Sequence, residues 1–163
     1  MEHFKKKGFT LIECLLVISL LSFLSFCAFF STSFFKQTLE KTEIEKLYLW
    51  ALHLQQIAQT SGTIQELVID VDNNSYYVLD TKIKVANGLQ FGKPFTPLPN
   101  THHSKASSFK HNKIIFYPSG IISAGTVYLI HSQANRTYAL SNAVSSVSFL
   151  RKYQYAGSWK SYS

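Results

Sequence analysis

The chain has 163 residues, is 46% hydrophobic and 15% charged, and carries a formal net charge of +7. That length suits one domain plus a membrane helix, and the apolar fraction is ordinary for a folded domain. The two cysteines, Cys14 and Cys27, stand thirteen residues apart in one apolar run, about 20 Å along a helix, so an intrachain disulfide is excluded.

The first element is that run. Lys5, Lys6 and Lys7 precede Gly8, and from Phe9 to Phe35 the only charge is Glu13. A membrane-spanning helix needs about 20 mainly apolar residues, which this window supplies. Ser19, Ser22 and Ser25 fall on one side of such a helix, where small residues permit close helix–helix approach. The lysines place the N-terminus in the cytoplasm and the rest of the chain outside. Glu13 at the edge of hydrocarbon is costly unless a positive group meets it.

A secretory signal has a small-residue cleavage site after its apolar core, but here the glycine precedes the core. The string Lys5-Lys6-Lys7-Gly8-Phe9-Thr10-Leu11-Ile12-Glu13 resembles the class III leader of type IV pilins and type II secretion pseudopilins. The resemblance implies that a membrane peptidase cuts after Gly8 and that Phe9 becomes N-methylated. It also implies that Glu13 serves filament assembly by meeting the terminal amine of an adjacent subunit. A plain signal anchor that never polymerises is the alternative.

Residues 36–61 contain no proline or glycine, and Leu47, Trp50, Ala51, Leu54, Ile57 and Ala58 follow the spacing of one helical face. Ser61-Gly62 is a helix stop. The expected helix, from Phe9 to about Thr60, is apolar in its first half and amphipathic in its second. That is similar to the pilin architecture, although the proline that kinks many pilins is missing.

After Gly62 the pattern turns to strands. Ile64 to Asp70 and Tyr76 to Ile83 are predicted strands, joined by a turn at Asp72-Asn73-Asn74-Ser75. Asp70, Asp72 and Asn74 also suggest calcium ligands, but no EF-hand spacing follows. Asn87 to Lys113 reads as a long loop. Its histidines, His102, His103 and His111, lack a recognised metal spacing. Lys113 to Tyr117 and Gly125 to His131 are predicted strands, joined through Pro118-Ser119-Gly120. Thr137 to Leu140 and Val144 to Leu150 are the last predicted strands. The stretch from Ile115 to Val127 resembles the H-type minor pseudopilins, a family that also includes a minor pilin implicated in DNA uptake. Leu140 to Val144 lacks that family's glycine.

The fold class expected is therefore α+β: a leader (1–8), a membrane or filament-core helix (9–35), its amphipathic continuation (36–61) and a β-rich domain (62–163) packed as in pilins.

Charge is unevenly spread. From Lys36 to Asp80 there are three lysines and seven carboxylates, 3 − 7 = −4, whereas from Thr81 onward there are ten Lys or Arg and no Asp or Glu. Lys105, Lys110, Lys113, Arg136, Arg151, Lys152 and Lys160 are candidate contacts for an anion or DNA, and the aromatics among the last of them suit base stacking. The alternatives are an acidic neighbouring subunit, anionic lipid, or a merely solubilising surface.

Catalytic, zinc-site and nucleotide motifs are missing, so no enzyme activity, metal or cofactor is expected. The sequence points to a minor pseudopilin of a type II secretion system, single-pass in the inner membrane, with a periplasmic domain. Its expected partners are other pilin-like subunits, the prepilin peptidase and methyltransferase, an assembly platform and membrane lipid. The alternative is a minor pilin of a pilus or competence apparatus that binds DNA.

Overall fold

A computed structural model describes residues 10–86, 88–99, 105–131, 136–145 and 148–162 of the chain, without the side chains of 30–37 and 39. Among the described residues one helix, α1 (Leu11–Ser61), is followed by nine strands. The chain divides into two compact units, Met1–Thr38 and Leu39–Ser163.

In the first unit the described helix is fully solvent-facing. Leu11, Leu16, Phe23 and Phe29 are all exposed. These residues have no protein core to enter, which is the situation of a helix whose solvent is lipid or another helix.

The second unit is built on the remainder of α1. Ile44, Leu47, Ala51, Leu54 and Ala58 are 1% exposed or less. Their alternating spacing of three and four residues lines one face of the helix. Full burial of each large member is worth about 1.5–3 kcal/mol. Ile44 joins this stripe, but Trp50 does not. Trp50 lies off the buried face and packs edge-on against His53, with ring centroids 5.8 Å apart. The helix ends where the Gly62 N–H donates to the Ala58 carbonyl at 3.1 Å. Gly62 has φ +67°, the left-handed conformation that closes helices and that glycine adopts without strain.

Two antiparallel sheets share this core. The first has the order β3-β2-β1-β5, with β1 (Gln65–Asp70), β2 (Ser75–Val78), β3 (Thr81–Lys84) and β5 (Lys113–Phe116). The second has the order β4-β6-β7-β8-β9, with β4 (Leu89–Phe91), β6 (Gly125–His131), β7 (Arg136–Asn142), β8 (Arg151–Tyr155) and β9 (Trp159–Tyr162). Leu67 and Ile69, Tyr76 and Val78, Ile114 and Phe116, Val127 and Leu129, and Tyr138 and Leu140 are buried pairs in one cluster with the helix stripe. Each pair is two residues apart, the period of one strand face.

Several predicted elements change. The strand expected over Tyr76 to Ile83 is two strands, because Leu79 and Asp80 reverse the chain between Val78 and Thr81. Both have positive φ, +46° and +66°, the pattern of a type I′ turn. The long loop contributes β4, a short 3-10 turn at Lys110–Asn112 and a bridge from Ser107 to Val127. The strands β5 and β6 are joined through the Pro118-Ser119-Gly120 turn but lie in different sheets. Val144 to Leu150 is not a strand among its described residues; it connects β7 to β8 with Val144 and Phe149 exposed. The final pair is instead the β8–β9 hairpin, which turns at Gly157 with φ +85°.

Asn74 ties the sheets together. Its Nδ2 donates to the Leu89 carbonyl at 2.9 Å, and its Oδ1 accepts from the Phe91 N–H at 2.8 Å. Asp70 accepts from the backbone and side chain of Asn73 at 3.1 and 2.8 Å. Asp70 and Asn74 thus use their side-chain oxygens to close the turn and hold β4.

Candidate membrane and assembly site

The site is the start of α1. Thr10 is the last residue before the helix, and Glu13 occupies its first turn. The Thr10 N–H and hydroxyl both donate to Glu13 Oε2, at 2.8 and 3.0 Å. In return the Glu13 N–H donates to Thr10 Oγ1 at 3.3 Å. This reciprocal pair is a capping box, which satisfies otherwise unpartnered donors at a helix start. The negative carboxylate also lies at the positive end of the helix dipole. Glu13 Oε2 is thus held by both Thr10 donors, and Oε1 makes no hydrogen bond among the described residues.

From Leu11 to Phe29 the helix runs 19 residues, with none of that span buried in the protein. Its length is about 29 Å, close to the hydrocarbon thickness of a bilayer. Ser19 and Ser22 donate their hydroxyls to the carbonyls of Leu16 and Ile18 at 2.8 and 2.9 Å. Their polar groups are satisfied within the helix, which lowers the cost of placing them in lipid. Cys14 and Cys27 are exposed free thiols on the same span. Gly8 and Phe9 lie outside the described residues.

The family model for the prokaryotic N-terminal methylation motif matches residues 3–26. The chain carries the class III leader of type IV pilin-like proteins. No curated protein and no solved structure gave a significant match. The leader implies processing by a prepilin peptidase and assembly with other pilin-like subunits. The apolar helix fits membrane anchoring of such a subunit, and the α+β architecture is pilin-like.

Three of the seven candidate anion-binding cations are engaged in ion pairs within the fold. Lys152 is 8% exposed and donates to both carboxylate oxygens of Glu45, at 2.7 and 2.9 Å. It also sits over the rings of Tyr48 and Tyr162, at 4.5 and 5.4 Å. Lys152 is thus engaged in an ion pair that ties β8 to the helix. Arg136 Nη2 lies 3.1 Å from Glu40, whose carboxylate is 1% exposed and also accepts from the Tyr138 hydroxyl at 3.1 Å. Lys113 pairs with Glu66 at 2.7 Å. Lys105, Lys110, Arg151 and Lys160 remain exposed without an ion pair among the described residues. Arg151 lies over the Phe149 ring at 5.0 Å.

The acidic helix and the basic half of the chain therefore complement each other internally. Glu40 and Glu43 are buried, and Glu43 is held by Lys46 at 2.8 Å. The sequence reading missed this buried acidic face. Its available signal was the triplet Glu40, Glu43 and Glu45 just ahead of a helix stripe, facing a carboxylate-free second half. Thr10 was missed as well, although Thr-x-x-Glu before an apolar run is itself a capping-box pattern.

No group of three or more His, Cys, Asp or Glu side chains converges among the described residues. His111 is exposed, and His102 and His103 lie outside the described residues.

Proposed function

We propose that the chain is a minor pseudopilin of a type II secretion system. Its leader stays cytoplasmic, is cut after Gly8, and leaves Phe9 as an N-methylated terminus. The helix anchors the subunit in the inner membrane with the β domain in the periplasm. It then enters a short filament that helps export folded proteins, and an assembly platform extracts the subunit. The chain is a building block and a substrate of the processing enzyme rather than a catalyst.

The observation that carries the reading is the leader motif followed at once by an unburied apolar helix capped by Thr10 and Glu13. In filament or bilayer the Glu13 carboxylate would meet a neighbouring subunit's terminal amine. In a low-dielectric setting that pairing offsets a desolvation cost that neither charge sustains alone.

The internal pairing of Arg136, Lys152 and Lys113 favours an export filament over DNA uptake, because it withdraws three cations from the proposed nucleic-acid surface. Cells lacking the protein test the choice. The reading expects lost export of folded proteins and unchanged DNA uptake. Lost DNA uptake with normal export would assign the chain to a competence pilus instead.

A further inference from the structure

We propose that the Leu79-Asp80 hairpin tip docks into a pocket beside Arg151 on a second copy of this chain. The contact goes beyond the secretion reading and lies wholly within the β-rich unit.

Leu79 is the first clue. It is 51% exposed and has φ +46° at the tip of a two-residue turn. Asparagine or glycine is favoured there, because a left-handed backbone strains a branched side chain. Exposure adds a second penalty. Leucine is thus doubly unfavourable at Leu79 for the isolated subunit. Backbone strain at an exposed tip is where a contact function is sought. Asp80 beside it is exposed and has no ion pair among the described residues.

The receptor is a small pocket of about 140 Å³ between the end of β7 and the start of β8. Ala143, Val144, Phe149 and Tyr153 give it a largely apolar lining. Arg151, stacked on Phe149, stands at its wall and also lacks an ion pair among the described residues. Asn142 lines it too. That residue is 2% exposed, its Nδ2 donates to the Ile122 carbonyl at 2.8 Å, and its Oδ1 has no hydrogen-bond partner among the described residues.

Tip and pocket are complementary in two respects. Leu79 supplies an apolar side chain for an apolar cavity of about that size. Asp80 supplies a carboxylate for Arg151, a pairing suited to a forked guanidinium. The two patches are different surfaces of one molecule, so the contact is heterologous. Contacts of that type propagate into open assemblies instead of closing a dimer.

Cysteine cross-linking in native membranes tests the contact. The full-length chain carries Cys14→Ala and Cys27→Ala, with Thr81→Cys beside the tip and Val144→Cys at the pocket. Oxidation is expected to give a ladder of dimers and higher species, and each single-cysteine chain none. Adding Arg151→Glu should reduce the ladder about tenfold or more, because like charges then face each other. Asp80→Arg with Arg151→Asp should restore it. Leu79→Asn should weaken the ladder while raising the unfolding midpoint, a split that a purely structural turn would not give.

Three results would overturn the proposal: no Thr81→Cys to Val144→Cys disulfide, a tip-to-tip dimer from Thr81→Cys alone, or a ladder indifferent to Arg151→Glu. Cross-linking to a different protein in place of a copy would also overturn it. Leader cleavage, followed by mass in the same samples, distinguishes loss of this contact from failure of the pilin-like reading.

Discussion

Lys152 Nζ reaches both oxygens of Glu45, across 107 residues of sequence, at 2.7 and 2.9 Å. The pair fastens β8 to the helix, and its two ends differ in burial. The Lys152 side chain is 8% exposed and that of Glu45 is 37% exposed. Removing the carboxylate leaves a buried cation facing only the Tyr48 and Tyr162 rings, a loss of up to about 3–5 kcal/mol. Lys152→Met leaves an anion that water can still reach and keeps part of the apolar stem. Glu45→Ala should therefore destabilise more than Lys152→Met. Chemical unfolding followed by tryptophan fluorescence checks the order; equal losses would place the pair at the surface.

Asn74 makes two bonds to β4 from a positive-φ position. Asn74→Gly keeps the backbone geometry and loses both bonds, each worth about 1 kcal/mol. Asn74→Ala loses the bonds and adds backbone strain, roughly another 1 kcal/mol. The alanine variant should be the less stable by unfolding midpoint. If the glycine variant matches wild type, the bridge contributes nothing.

These two links show what was legible in the sequence. The helix could be read because Leu47 to Ala58 repeat at helical spacing and Gly62 stops them. The strands β1, β5 and β6 could be read because β-branched and aromatic residues cluster there. The β2–β3 turn could not, because Leu79 is a poor residue for it. The β8–β9 hairpin was hidden by its charge, since Lys152 reads as a surface cation until Glu45 is seen opposite. Charge polarity along the chain was visible, but its internal destination is a tertiary fact. The leader was the most legible part, because Gly8, Phe9 and Glu13 carry their meaning in local order.

Alkali should unfold the domain early. Burial, then the Glu43 carboxylate, pushes the Tyr76 phenol up to about 12. Burial, then Glu40, raises Tyr138 further, and burial, then Glu45, does the same for Tyr162. Unfolded tyrosine ionises near 10. Above that pH the unfolded chain has released protons that the fold retains, so stability present below about pH 10 is lost as pH rises. The slope approaches roughly 1.4 kcal/mol per pH unit for each such tyrosine. Unfolding midpoints against pH, with tyrosinate absorbance, check this. All tyrosines titrating near 10 in the intact fold would contradict it.

The two atoms of the capping box can be separated by mutation. Glu13→Gln keeps an acceptor for the Thr10 donors but removes the charge. Thr10→Ala keeps the charge and weakens the cap by about 1 kcal/mol. The account expects Glu13→Gln to stay in the membrane and fail to join filaments. Thr10→Ala should assemble with only modest loss. Equal assembly of both variants would show that the charge of Glu13 is not used.

The central claim is that the chain is cut after Gly8 and methylated on Phe9, just ahead of the membrane helix. Intact mass and N-terminal fragment analysis of the chain extracted from membranes measures it most directly. The account predicts a chain lacking Met1 to Gly8 and starting at a singly methylated Phe9, with processing lost when the prepilin peptidase is absent. A chain that keeps its leader, unmethylated, in cells with active peptidase would contradict it.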